Sequence, residues 1–116
     1  MILRTAALTA ALAIAGCGES EADRAALRRV ERGIEASLRH LRFEHGPPRG
    51  IRAKCHKDND RAFTCEYGFD DRIGGQCLRY TATAHGTISA GRYRLDTSVG
   101  PPGSESGSVE GSLDPC

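Results

Sequence analysis

Ile51-Arg52-Ala53-Lys54-Cys55-His56 and Phe63-Thr64-Cys65-Glu66-Tyr67-Gly68-Phe69 are two runs in which apolar and polar residues alternate, with Asp58-Asn59-Asp60 between them. A period of two marks a strand with one buried face. The side chains of the intervening Asp and Asn residues bond their own backbone and tolerate left-handed conformations, so the two runs read as an antiparallel hairpin. One register serves all of them. With Cys55 opposite Cys65, Ala53 faces Tyr67, Ile51 faces Phe69 and Lys54 faces Glu66. A slip of one residue would turn the whole apolar set to solvent.

Downstream, Asp70-Asp71-Arg72-Ile73-Gly74-Gly75-Gln76 reads as a loop. A third strand follows, in which Leu78, Tyr80, Ala82 and Ala84 alternate with Cys77, Arg79, Thr81, Thr83 and His85. A turn is expected near Gly86, then a fourth strand ending in Arg92-Tyr93-Arg94-Leu95, with Gly91 marking a bulge. Upstream the period is helical. Leu27, Val30, Ile34, Leu38 and Leu41 recur in steps of three and four, Ser20-Glu21-Ala22-Asp23 has the form of a helix start, and Gly46-Pro47-Pro48 ends the segment. Gly33, beside the stripe, predicts a close backbone approach, and Glu35 with Arg39 has the favourable i, i+4 spacing. The stripe and the apolar sheet face each need a partner. The predicted fold is α+β: one N-terminal amphipathic helix packed on a four-stranded antiparallel meander.

From Thr97 the composition changes. Twelve of the last twenty residues are glycine, proline or serine, which predicts a flexible tail over 97–116.

The first 16 residues read as a targeting segment: a charged start at Met1 to Arg4, then ten apolar or small residues from Thr5 to Ile14. That run is shorter than the roughly 20 residues needed to span a bilayer. Ile14-Ala15-Gly16-Cys17 resembles the lipobox of bacterial lipoproteins at all four positions. The resemblance implies a diacylglyceryl group on the Cys17 thiol, cleavage just before it, and a domain of residues 17–96 held at the extracytoplasmic face of a membrane. Two acyl chains anchor stably where one does not.

Assigning Cys17 to lipid leaves four of the five cysteines, the parity of two disulfides outside the reducing cytosol. The strand register pairs Cys55 with Cys65. Elimination pairs Cys77 with Cys116, with a free or intermolecular Cys116 as the alternative. Zinc would draw on Cys55, His56, Cys65, Cys77, His85 and Cys116, but neither C-x-x-C nor H-x-x-x-H spacing occurs. Asp58, Asp60, Asp70 and Asp71 read as turn residues, since no glutamate follows at EF-hand spacing. His40 and His45 read as exposed residues near the helix end.

The chain from Cys17 onward has 15 basic residues, the 16 of the whole less Arg4, against 15 acidic ones. This balance argues against nucleic acid as a partner. No serine sits in a nucleophile elbow, no glycine-rich phosphate loop precedes a helix and no motif places a carboxylate pair, so the sequence points away from an enzyme and calls for no cofactor besides the lipid. Strand parity does gather Arg52, Lys54, His56, Arg79, His85, Arg92 and Arg94 on the outer sheet face, where they are candidates for binding an acidic polymer or an acidic envelope protein. A Cys77–Cys116 bridge would bring Glu105, Glu110 and Asp114 of the tail toward them.

The order of lipobox, amphipathic helix, strand with Cys55, Phe63-Thr64-Cys65 and two further strands is similar to that of a family of small bacterial lipoproteins whose domain has no assigned activity. The resemblance implies a helix on a small antiparallel sheet with the first hairpin bridged, here by Cys55 and Cys65. It supplies no catalytic residues. The functional expectation is a non-catalytic, membrane-anchored binding module, with a small inhibitor of an extracellular enzyme and a passive structural lipoprotein as alternatives.

Overall fold

The computed structural model describes residues 19–41, 46, 48–97, 99 and 109–116. The segment expected to be a signal, Cys17, His45 and Glu105 lie outside the described residues, as does the side chain of Glu110. Helix α1 (Glu21–Arg39) leads into β1 (Arg49–Asn59), β2 (Ala62–Ile73), β3 (Gln76–Ser89), β4 (Arg92–Leu95) and β5 (Val109–Pro115). The expected helix on an antiparallel meander is the fold, with strand order β1-β2-β3-β4, and β5 joins the sheet beside β3.

The start of α1 is a reciprocal cap. The Ser20 hydroxyl accepts the Asp23 backbone N–H at 3.1 Å, and the Asp23 carboxylate accepts the Ser20 backbone N–H at 3.1 Å, an arrangement worth about 1 kcal/mol. Leu27, Ile34 and Leu38 of the predicted stripe are buried, and Val30 packs against them from a half-buried position. Each fully buried leucine contributes roughly 1.5–3 kcal/mol. The helix ends at Arg39 with His40 as its cap, ahead of Gly46-Pro47-Pro48. Leu41 still reaches the core, but from non-helical backbone.

The predicted hairpin register holds at Cys55↔Cys65, Ala53↔Tyr67 and Lys54↔Glu66. It breaks at Ile51, where a bulge between Arg49 and Arg52 separates Arg49↔Asp70 from Arg52↔Gly68. Gly50, at φ +59, supplies the left-handed residue that such a bulge uses. The loop expected over 70–76 is instead a continuation of β2 and β3 to a two-residue turn at Gly74-Gly75, both at positive φ. Two such residues match the right-handed twist of the flanking strands.

Gly86 is not a turn. It lies inside β3 opposite Phe63, whose ring occupies the space a side chain would take: a Cβ there would fall 2.1 Å from the ring. The turn comes later, at Ala90-Gly91, with φ of 52 and 76, so Gly91 is a turn residue rather than a bulge. Phe63, Cys65, Tyr67, Phe69, Tyr80, Ala82 and Ala84 form the buried sheet face under α1.

The far part of the stretch expected to be flexible is a strand. β5 pairs along β3 from Leu78↔Pro115 to Ala84↔Val109, and Cys77–Cys116 bonds its end to the start of β3. Its described side chains are exposed, so backbone hydrogen bonds and the disulfide hold it. Composition undervalued both, because neither needs an apolar side chain. β4 and β5 thus lie end to end along one side of β3.

Candidate functional site

The outer face of the sheet carries the predicted basic residues, and Asp70 lies in their midst. Arg79 Nε donates to Asp70 Oδ1 at 3.0 Å, and Arg52 Nη1 approaches the same oxygen at 3.3 Å. The Arg79 guanidinium holds the Asp70 carboxyl below its usual range, against a smaller opposing effect of burial. Arg52 also donates from Nη2 to the Tyr80 carbonyl at 3.2 Å, lying across Gly68 to do so. A side chain at position 68 would meet that carbonyl at 2.1 Å, so the path of Arg52 requires glycine.

The remaining predicted residues divide. Lys54 faces Glu66 across the strands, and His56 Nε2 lies 3.1 Å from Asp58. Thr64 donates to Asp58 at 2.6 Å and stands 3.4 Å from His85 Nδ1. Arg79 faces Asp114 of β5 in the register, so the tail does bring a carboxylate onto this face. Arg92 and Arg94 differ from these. They are exposed at the β4 end of the face, and neither has an ion pair among the described residues. The seven basic residues expected as one patch therefore divide into a centre set among carboxylates and an end where Arg92 and Arg94 make no ion pair among the described residues.

The cysteines are paired as Cys55–Cys65 and Cys77–Cys116. Asp70, Cys77 and Cys116 offer ligand atoms within 4.8 Å of one another. The two sulfurs are bonded to each other and the carboxylate is held by two guanidinium groups, so these donors are committed while the bridge is closed.

A second polar cluster sits between α1 and the outer edge of β1. Residues 55 and 57 turn their amide groups away from β2. The Cys55 N–H donates to Glu31 Oε2 at 2.7 Å, the Lys57 N–H donates to Glu19 Oε2 at 2.7 Å, and Arg24 Nη1 donates to the Cys55 carbonyl at 3.1 Å. The Lys57 N–H also draws the Glu19 carboxyl below its usual range. Asp23 extends the cluster across the fold, accepting from the Tyr93 hydroxyl of β4 and from Lys57 Nζ at 3.3 Å. The Tyr93 bond is the largest cause of the strongly lowered Asp23 pKa; burial, then that same bond, pushes Tyr93 up to about 12.

Beyond Tyr93 the helix and β4 diverge into an open groove of about 480 Å3, lined on the helix by Val30, Gly33, Ile34 and Ser37 and opposite by residues 93–97 and Val99. Gly33 therefore does not receive a neighbouring backbone; a Cβ there would meet nothing within 4 Å. A second recess of about 460 Å3 shares Val30, Tyr93 and Arg94 with the first and adds Arg29 and Arg92. Strand parity assigns Arg92 and Arg94 to the outer sheet face, at whose β4 edge they also border this recess, and gives no sign of Arg29. No family model, curated protein or solved structure matches the chain.

Proposed function

We propose that this chain is a non-catalytic lipoprotein of the cell envelope, anchored on the extracytoplasmic side of a membrane by a diacylglyceryl group on Cys17, and that its domain binds an acidic partner. The four matched positions at Ile14 to Cys17 and the even number of remaining cysteines support the anchor. No helix among the described residues is long and apolar enough to cross a membrane.

The observation that carries the binding reading is the isolation of Arg92 and Arg94. On a face where Asp70, Asp58 and Glu66 stand beside the other basic residues, these two guanidinium groups make no ion pair among the described residues, and the one carboxylate near them, Asp96, accepts from the Thr87 hydroxyl at 2.8 Å. The test uses the full-length chain made in a lipoprotein-processing bacterium and extracted with detergent. Intact mass should show a species beginning at Cys17 and carrying diacylglycerol; an unmodified cysteine overturns the anchor. Polyglutamate should bind with an affinity that falls as salt rises, and R92E/R94E should abolish it. Equal binding by that variant overturns the acidic-partner reading.

A further inference from the structure

We infer that the groove between α1 and the outer edge of β4 is a docking site for an extended segment of a partner protein, alternating apolar and acidic residues, which pairs with β4 as an added strand. This rests on the reading of Arg92 and Arg94 given above and specifies what kind of acidic partner they meet.

The backbone makes the first case. Asp96 N–H donates to the His85 carbonyl at 3.0 Å, so by alternation Arg94 pairs with Thr87 and Arg92 with Ser89, while the N–H and C=O groups of Tyr93 and Leu95 point away from β3. Among the described residues nothing pairs with them. The other two outer strands are blunted. β1 is closed by Glu19, Glu31 and Arg24, and β5 ends in Asp114 and Pro115, the latter with no N–H to offer.

The lining makes the second. Val30, Ile34, Leu95 and Val99 give the groove an apolar floor, and Gly33 keeps the helix wall low. Its volume falls in the range of about 300–1,000 Å3 that binding pockets occupy. Arg29, Arg92 and Arg94 line the adjoining recess with no carboxylate partner among the described residues. That charge repels the β4 of a second copy and attracts an acidic strand. Thr97 Oγ1, behind the groove wall, is buried with no hydrogen-bond partner. A lipid surface would meet the floor and the charges yet leave the strand edge unpaired. An extended peptide meets all three, with main-chain bonds for affinity and alternate side chains for specificity.

The probe is the fluorescently labelled hexapeptide Val-Glu-Val-Glu-Val-Glu, titrated against the full-length protein in phosphatidylcholine nanodiscs. Binding should weaken about tenfold or more, at least 1.4 kcal/mol, when the peptide is N-methylated at alternate residues, and by a similar factor with R92E/R94E. The amide signals of Tyr93 and Leu95 should shift and gain exchange protection, while the urea midpoint of the variant shows that its fold is kept. If the N-methylated peptide binds equally well, strand pairing is overturned and the acidic-partner reading stands. If R92E/R94E binds equally well, both fall. If the peptide fails to bind, the inference is overturned; dodecyl phosphate shifting the same amides would then assign the groove to an amphiphile.

Discussion

The two sides of the sheet end in opposite ways. At β1, three charged side chains of the α1 segment reach out to the strand's outward backbone groups, so the edge is finished from within the molecule. At β4 the same helix touches the strand through Tyr93 and Asp23, then leaves a groove beside backbone groups with no partner among the described residues. An open strand edge is a liability unless it has a use. The difference teaches where this domain commits its polar side chains to stability and where it leaves them available. Glu19, Asp23, Arg24 and Glu31 are committed; Arg29, Arg92 and Arg94 are not.

The comparison can be broken hardest at the β1 side. Replacing both Cys55 and Cys65 by alanine unclips β1 from β2 at the residue α1 holds, and should cost about 2–5 kcal/mol in urea unfolding. Replacing Cys77 and Cys116 opens a longer loop, 39 residues against 10, but should leave hydrogen exchange at the Cys55 amide unchanged; faster exchange there would erase the distinction. Next in size is Glu31→Ala. It strands the Cys55 N–H beneath the helix and should cost about 1–3 kcal/mol. Faster hydrogen exchange at that amide, with no change at Tyr93, would localise the effect.

Changing pH acts on both sides at once, because Asp23 joins Lys57 of β1 to Tyr93 of β4. The carboxyl pKa values of Asp23, Glu19 and Asp70 are lowered by folding, so their stabilisation is complete above the unfolded values near 4 and is lost as pH falls through the folded ones. Tyr93 is raised, so its contribution is complete below about 10 and is lost as pH rises through about 12. The urea midpoint should therefore fall at both extremes, and Asp23→Asn should flatten both limbs. A variant that keeps the acid limb unchanged would remove Asp23 from the account. The smallest effect belongs to β4: R92E/R94E should shift stability by no more than about 0.5 kcal/mol, the usual range for exposed positions without partners. A larger loss would mean that these arginines support the fold.

The alternation around Cys55 and Cys65 made the hairpin, its register and its bridge legible, because a period of two and a required cross-strand pair constrain one another. Glycine was the weak point. Gly86 and Gly91 carry the same letter, yet one makes room for the Phe63 ring and the other turns the chain. Only the ring's position, set by a distant strand, tells them apart. β5 escaped because its partner is backbone. The outer face was legible as a set of cations but not as a set of ion pairs: Asp70 reads as loop until the β2–β3 turn is known. The β1 cluster did leave a sign. Lys57 falls by parity on the apolar side of β1, and a lysine there needs carboxylates such as those of Asp23 and Asp60.

Glu19 has a mechanical consequence. It is the first described residue, and its carboxylate is bonded both to the Lys57 N–H of β1 and to Arg24 of the first helical turns. A pull arriving along the chain from its N-terminal side therefore meets a clamp before it meets the helix. The load passes sideways into β1, and through the bridge at Cys55 and Cys65 into β2, instead of peeling α1 open turn by turn. Tension on the N-terminus would be carried by the two strands that Cys55–Cys65 joins, leaving the groove at β4 out of the line of force.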